Sequence, residues 1–170
     1  MADKKISELV EADPLDGTED LPIVKDGSTV RCSTQDIADI ATKTVKISLT
    51  SAEILALNAI PKVLVSAPGA GKIIRVISAM MKVAFNTQAY TTNVVCAVQY
   101  NGTSTNILSN SMLSSAETTI SQQLASTSIS FTTGSSDPVN KAVVLKATAG
   151  DPTTGDSPMD VYLTYTVITL

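Results

Sequence analysis

The chain has 170 residues, a formal net charge of −4, no His, no Trp, and 4% aromatic against 44% hydrophobic residues. Without His it lacks the commonest general base and metal ligand, and two cysteines are too few for an all-thiolate zinc site. Lys and Arg are not clustered with aromatics, which argues against nucleic-acid binding.

The core must therefore be aliphatic. With 22 Thr, 19 Ser and abundant Val and Ile, the composition favours extended structure, because β-branched side chains lose rotamer freedom in helices and pack well on a pleated surface. Charge divides the chain: residues 1–40 hold ten acids and four bases, the rest six acids and eight bases.

Residues 1–42 read as a small α/β module. Ile6, Leu9 and Val10 share one face of a short helix. A turn follows at 13–18, then a strand at 20–25. Asp26-Gly27 predicts a tight hairpin, with a return strand over 28–32. Ser33 or Thr34 can cap a helix through Ala41 that carries Ile37 and Ile40 on one face. Such a module buries little and needs a partner surface to be ordered.

From residue 43 the pattern is that of a β-body. A strand is expected over 44–49, and Thr50-Ser51-Ala52-Glu53 has the capping-box spacing that opens a short helix to about Leu57. Strands are expected at 63–65, 72–85, 93–100, 127–132, 141–147 and 160–170. Residues 103–125 read as a Ser/Thr/Asn-rich loop with a short helix around 116–124. The fold class is mainly β, a jelly-roll-like antiparallel sandwich over residues 43–170. The 72–85 strand is apolar on both faces, with Ile74, Val76 and Met80 on the face opposite Ala79 and Met81. A sandwich covers only one face of a sheet, so Ile74, Val76 and Met80 are expected to be covered by another subunit, at an oligomer interface, or by a long loop.

No motif carries chemistry. Pro68-Gly69-Ala70-Gly71-Lys72 resembles the end of a phosphate-binding loop, but Ser66 stands where the first Gly belongs and Ile73 where the metal-binding hydroxyl belongs. The acids at 16–20 and 151–156 lack the ligand alternation of a calcium loop. A hydrolytic pair would have to come from Glu53, Glu117, Asp137, Asp151, Asp156 or Asp160, most of them in predicted turns. Asn101-Gly102-Thr103 has the form of a glycosylation sequon and reads as a turn. Cys32 and Cys96 read as free thiols, Cys96 inside the apolar run 94–98. No secretory h-region and no membrane-length apolar run is seen. Neither a cofactor nor a metal is expected.

Two stretches carry a resemblance. Lys4-Lys5-Ile6-Ser7-Glu8-Leu9, then Pro14-Leu15-Asp16-Gly17-Thr18-Glu19-Asp20-Leu21-Pro22-Ile23-Val24, then Thr34-Gln35-Asp36-Ile37-Ala38 resemble the N-terminal attachment segment of tailed-phage fibre and head-decoration proteins. Leu49-Thr50-Ser51-Ala52-Glu53-Ile54-Leu55-Ala56-Leu57, with Pro61, Val63-Leu64-Val65 and Ala67-Pro68-Gly69-Ala70-Gly71-Lys72, is similar to a β-domain of phage virion proteins that include crAss-like head fibres. The resemblance implies a non-enzymatic virion protein on the particle surface, assembled in the bacterial cytoplasm. It also implies a homotrimer, with a major capsid or other virion protein as partner. The docking contacts would come from Ile6, Leu9, Leu21, Ile23, Val24, Ile37 and Ile40. The alternative is a tail-associated adhesin that uses segment 101–136 to bind a host surface glycan or protein.

Overall fold

The structure is a computed structural model that describes residues 19–34, 37, 42–103, 106–124 and 137–170. It divides into two compact units, Met1–Ala41 and Thr42–Leu170.

In the first unit, β1 (Asp20–Lys25) and β2 (Ser28–Ser33) form an antiparallel hairpin. Asp26 and Gly27 supply the turn with φ of 53° and 77°, the left-handed pair that a two-residue turn needs and that Asp-Gly tolerates. A two-residue loop leaves one register, and Ile23 pairs with Val30 and Leu21 with Cys32. The helix expected before Ala41 falls mostly outside the described residues, where only Thr34 and Ile37 are helical. The helix expected around Ile6, Leu9 and Val10 lies outside them entirely.

Among the described residues the second unit is an antiparallel β-sandwich of eight strands. These are β3 (Lys43–Leu49), β4 (Lys62–Val65), β5 (Lys72–Val83), β6 (Cys96–Tyr100), β7 (Asn106–Asn110), β8 (Thr119–Leu124), β9 (Val143–Ala147) and β10 (Met159–Thr169). One sheet has the order β3-β10-β5-β8 and the other β4-β9-β6-β7. The first strand of the body therefore lies beside its last, the second beside the seventh, the third beside the sixth and the fourth beside the fifth. Such a pairing arises when a chain is folded in half and then rolled. The expected strand at 127–132 lies outside the described residues.

One aliphatic core joins the sheets, with Leu49, Ile74, Met81, Val161 and Leu163 from the first and Val98, Leu108, Val143 and Leu145 from the second. Across it the Tyr100 hydroxyl donates to the carbonyl of Ile74, which satisfies a polar tip that burial would otherwise penalise. Helix α1 (Ser51–Leu55) opens with the expected capping box, Thr50 Oγ1 accepting from the Glu53 N–H while the Glu53 carboxylate accepts from the Thr50 N–H at 2.8 Å. Cys96 is fully buried in the core and Cys32 is half-buried, both as free thiols.

Two expectations are corrected. Residues 116–124 are not helical: Met112–Ser114 is a single 3-10 turn and β8 follows, Met80 pairing with Gln122 and Met81 with Ser121. The helix-forming side chains there are overridden by the long edge that β5 offers. In addition, β6 begins at Cys96 rather than 93, because Thr92 and Asn93 take φ of 47° and break the extended run.

Candidate docking face

The hairpin sorts its side chains by the period of two. Leu21 and Ile23 from β1 share one face with their partners Cys32 and Val30 from β2. The other face carries Pro22, Val24, Thr29 and Arg31, and there Arg31 holds Asp20 in an ion pair at 3.1 Å. Leu21, Ile23 and Val30 remain 42%, 38% and 38% exposed. One side of this two-stranded sheet thus carries a contiguous apolar quartet. An isolated hairpin is marginal in water, and an apolar patch rimmed by charge marks an interaction surface.

The expected docking residues separate accordingly. Leu21 and Ile23 belong to the quartet. Val24 points to the polar face and is 75% exposed. Ile37 is 45% exposed, and Ile6, Leu9 and Ile40 lie outside the described residues. Val30 and Cys32 were missed, although the signal was available: a two-residue turn at 26–27 makes partners sum to 53, which places both opposite Ile23 and Leu21.

The oligomer-interface expectation for Ile74 and Val76 is overturned. They are 0% and 5% exposed within the single chain and belong to its own core. The cause is a β-bulge. Thr164 of β10 pairs with Ser78 and Tyr165 with Val76, so Ile77 of β5 has no partner. An extra residue reverses the parity of the strand: Ile74 and Val76 face inward before it, and Ala79, Met81 and Val83 after it. Two apolar faces in the sequence are one buried face interrupted by a bulge. Met80 does lie on the outer face, half-buried in a row with Lys46, Tyr162 and Gln122. Lys46 there pairs with Asp160 at 3.0 Å and sits 5.6 Å from the centre of the Tyr162 ring. Such a polar surface is ordinary for the solvent side of an antiparallel sheet.

Of the acids considered for catalysis or calcium, Asp151 and Asp156 serve the loops. Asp156 accepts from the Thr87 and Gln88 N–H groups at 3.1 and 3.0 Å and from Asn86 Nδ2 at 2.9 Å. The hydrogen bond from the Thr87 hydroxyl is the first cause that holds its carboxyl below the usual range. Asp151 accepts from Asn58 N at 2.7 Å and Ala59 N at 3.0 Å. Beneath this clasp Tyr90 is buried and donates to the Ser157 carbonyl at 2.7 Å. Glu53 is ion-paired with Lys62, which with the Thr50 N–H lowers its pKa to about 2. The pair lies on a groove of about 310 Å³ walled by Ala56, Ile60 and Val63. Burial pushes the Cys96 thiol up to about 12, so it is an inert core group rather than a nucleophile. Among the described residues no cluster of His, Cys, Asp or Glu could hold a metal ion, and no helix is long and apolar enough to cross a membrane.

The exposed binding loop expected over 101–136 is corrected in its centre. Residues 106–110 and 119–124 are strands, and Ile107, Leu108, Met112 and Leu113 are buried. Neither a protein-family model nor a curated protein nor a solved structure matches the chain.

Proposed function

We propose that the chain is a non-enzymatic structural protein of a tailed-phage particle, a capsid-bound head fibre or decoration subunit that docks through its N-terminal module. The observation that carries the reading is the apolar face of Leu21, Ile23, Val30 and half-buried Cys32, its three aliphatic residues exposed, on a hairpin that belongs to a unit separate from the sandwich. Support also comes from the resemblance of residues 4–41 to fibre attachment segments and from Asp151 and Asp156, whose carboxylates are tied to loop backbone. The partner is a major capsid or other virion protein. The β-body is the part presented, and a homotrimer would add the three weak dockings through avidity.

The test uses the full-length chain and particles assembled without it. Ile23→Asp with Val30→Asp places two charges on the apolar face, whereas Val24→Asp places one on the polar face. Co-sedimentation with particles is expected to fall at least tenfold for the first variant and to stay within twofold for the second. Undiminished association of the double variant rejects the docking role.

A further inference from the structure

The two edges of the hairpin are not equivalent. Thr34 N–H donates to the Glu19 carbonyl at 2.9 Å, which fixes the phase of the ladder, because bonded and non-bonded pairs alternate along an antiparallel ribbon. Glu19 with Thr34 is a bonded pair, and so are Leu21 with Cys32, Ile23 with Val30, and Lys25 with Ser28. Pro22 with Arg31 and Val24 with Thr29 are the alternate pairs, whose backbone groups point away from the partner strand. Pro22 therefore interrupts the outer edge of β1 with a nitrogen that has no hydrogen, at the position where proline is tolerated and where it blocks strand addition. On the outer edge of β2 the corresponding positions are Thr29 and Arg31, which keep their N–H and C=O groups. Among the described residues no third strand pairs with this edge.

We infer that the module docks by strand addition on the β2 edge, and that the partner contributes an extended, positively charged strand. This rests on the docking reading above and names its geometry. A row of backbone donors and acceptors at strand spacing is matched in full only by another extended backbone. Adding one strand turns a marginal two-stranded ribbon into a three-stranded sheet, the size at which a sheet with one apolar face becomes stable. The partner surface behind that strand covers the quartet. Charge selects its character: residues 1–40 carry ten acids against four bases, so a basic strand is attracted and an acidic one repelled.

Val24 and Thr29 face each other across the ladder, which supplies a matched pair of substitutions. Thr29→Pro removes an outward N–H from β2, and Val24→Pro removes one from β1, where Pro22 already blocks addition. Neither touches a hydrogen bond between the two strands. With particles lacking the chain as the probe, Thr29→Pro is expected to weaken association at least tenfold and Val24→Pro less than twofold. Association should also weaken as salt is raised. Equal loss in both variants, or none in Thr29→Pro, overturns the edge assignment. Amide exchange of the unsubstituted chain reads it independently, since the Thr29 and Arg31 amides should slow at least tenfold on particle binding, and unchanged exchange there overturns it as well. If Ile23→Asp with Val30→Asp abolishes docking while Thr29→Pro does not, the docking reading survives and the edge assignment fails.

Discussion

The hairpin and the sandwich follow the same alternation rule with opposite results. In β1 every residue is exposed, and in β2 only Cys32 and Ser33 are even half-buried. In β6 all five residues are buried, and in β9 all but Lys146. The difference is not in the strands, since Leu21, Ile23 and Val30 are as aliphatic as Val98, Val143 and Leu145. It lies in the second layer: each sheet of the body faces the other across a shared core, whereas among the described residues of its unit the hairpin is a single sheet. A period-two pattern specifies which face seeks burial, and only the tertiary partner determines whether it is found.

Replacing one inward aliphatic residue in each region breaks the comparison most directly. Leu163→Ala at the centre of β10, fully buried, should lower the unfolding free energy of the body by about 2–5 kcal/mol. Ile23→Ala, 38% exposed, should leave the body's denaturant transition within about 0.5 kcal/mol. An equal cost at both positions would mean that the hairpin's apolar face is already buried.

Two glycines sharpen it. Gly155 has φ of +82° and lies against Tyr90, so an added Cβ would approach the ring to 2.4 Å. Gly155→Ala combines backbone strain with a clash in the packed clasp and should cost the body about 2–4 kcal/mol. Gly27 has φ of +77° but open space around it, so Gly27→Ala meets only the backbone term, about 1 kcal/mol, confined to the hairpin. Thermal melts of the body and amide exchange in the hairpin separate the two effects.

The smallest effect is in pH. Glu53, Asp156 and Asp160, all in the body, titrate below their ordinary values, Glu53 at about 2. Their stabilisation is complete above the ordinary carboxylate range and is lost as pH falls through the depressed values. Tyr90, Cys96 and Tyr100 are pushed up to about 12 by burial. They favour the folded state while protonated, and this is lost as pH rises from their ordinary values toward 12. The melting temperature of the body should thus be flat near neutrality and decline on both sides. A melting temperature that rises on acidification would contradict the carboxylate assignments.

Local grammar was readable. Asp26-Gly27 announced the hairpin, Thr50 with Glu53 announced α1, and the strand expected over 160–170 is β10, with Val161, Leu163 and Tyr165 buried. What escaped depends on distant chain. The bulge at Ile77 is defined only against β10, so the parity of β5 could not be read from β5 alone. Likewise β7 and β8, rich in Ser, Thr and Asn, lack a strong strand pattern and become strands because β6 and β5 lie beside them. The docking face was half legible: Leu21 and Ile23 were found, while Val30 and Cys32 required pairing the two strands.

The position of β10 has a consequence for how the molecule is made. Among the described residues it follows seven other strands of the body, yet it must slot between β3 and β5. Until it emerges from the ribosome, β3 is cut off from the β5–β8 pair and both present bare edges, vulnerable to pairing with a neighbouring nascent chain. The hairpin needs no such wait, because its two strands are joined by two residues. The module would therefore acquire its shape early in translation and the body late, with the slow step set by the long-range closure around β10.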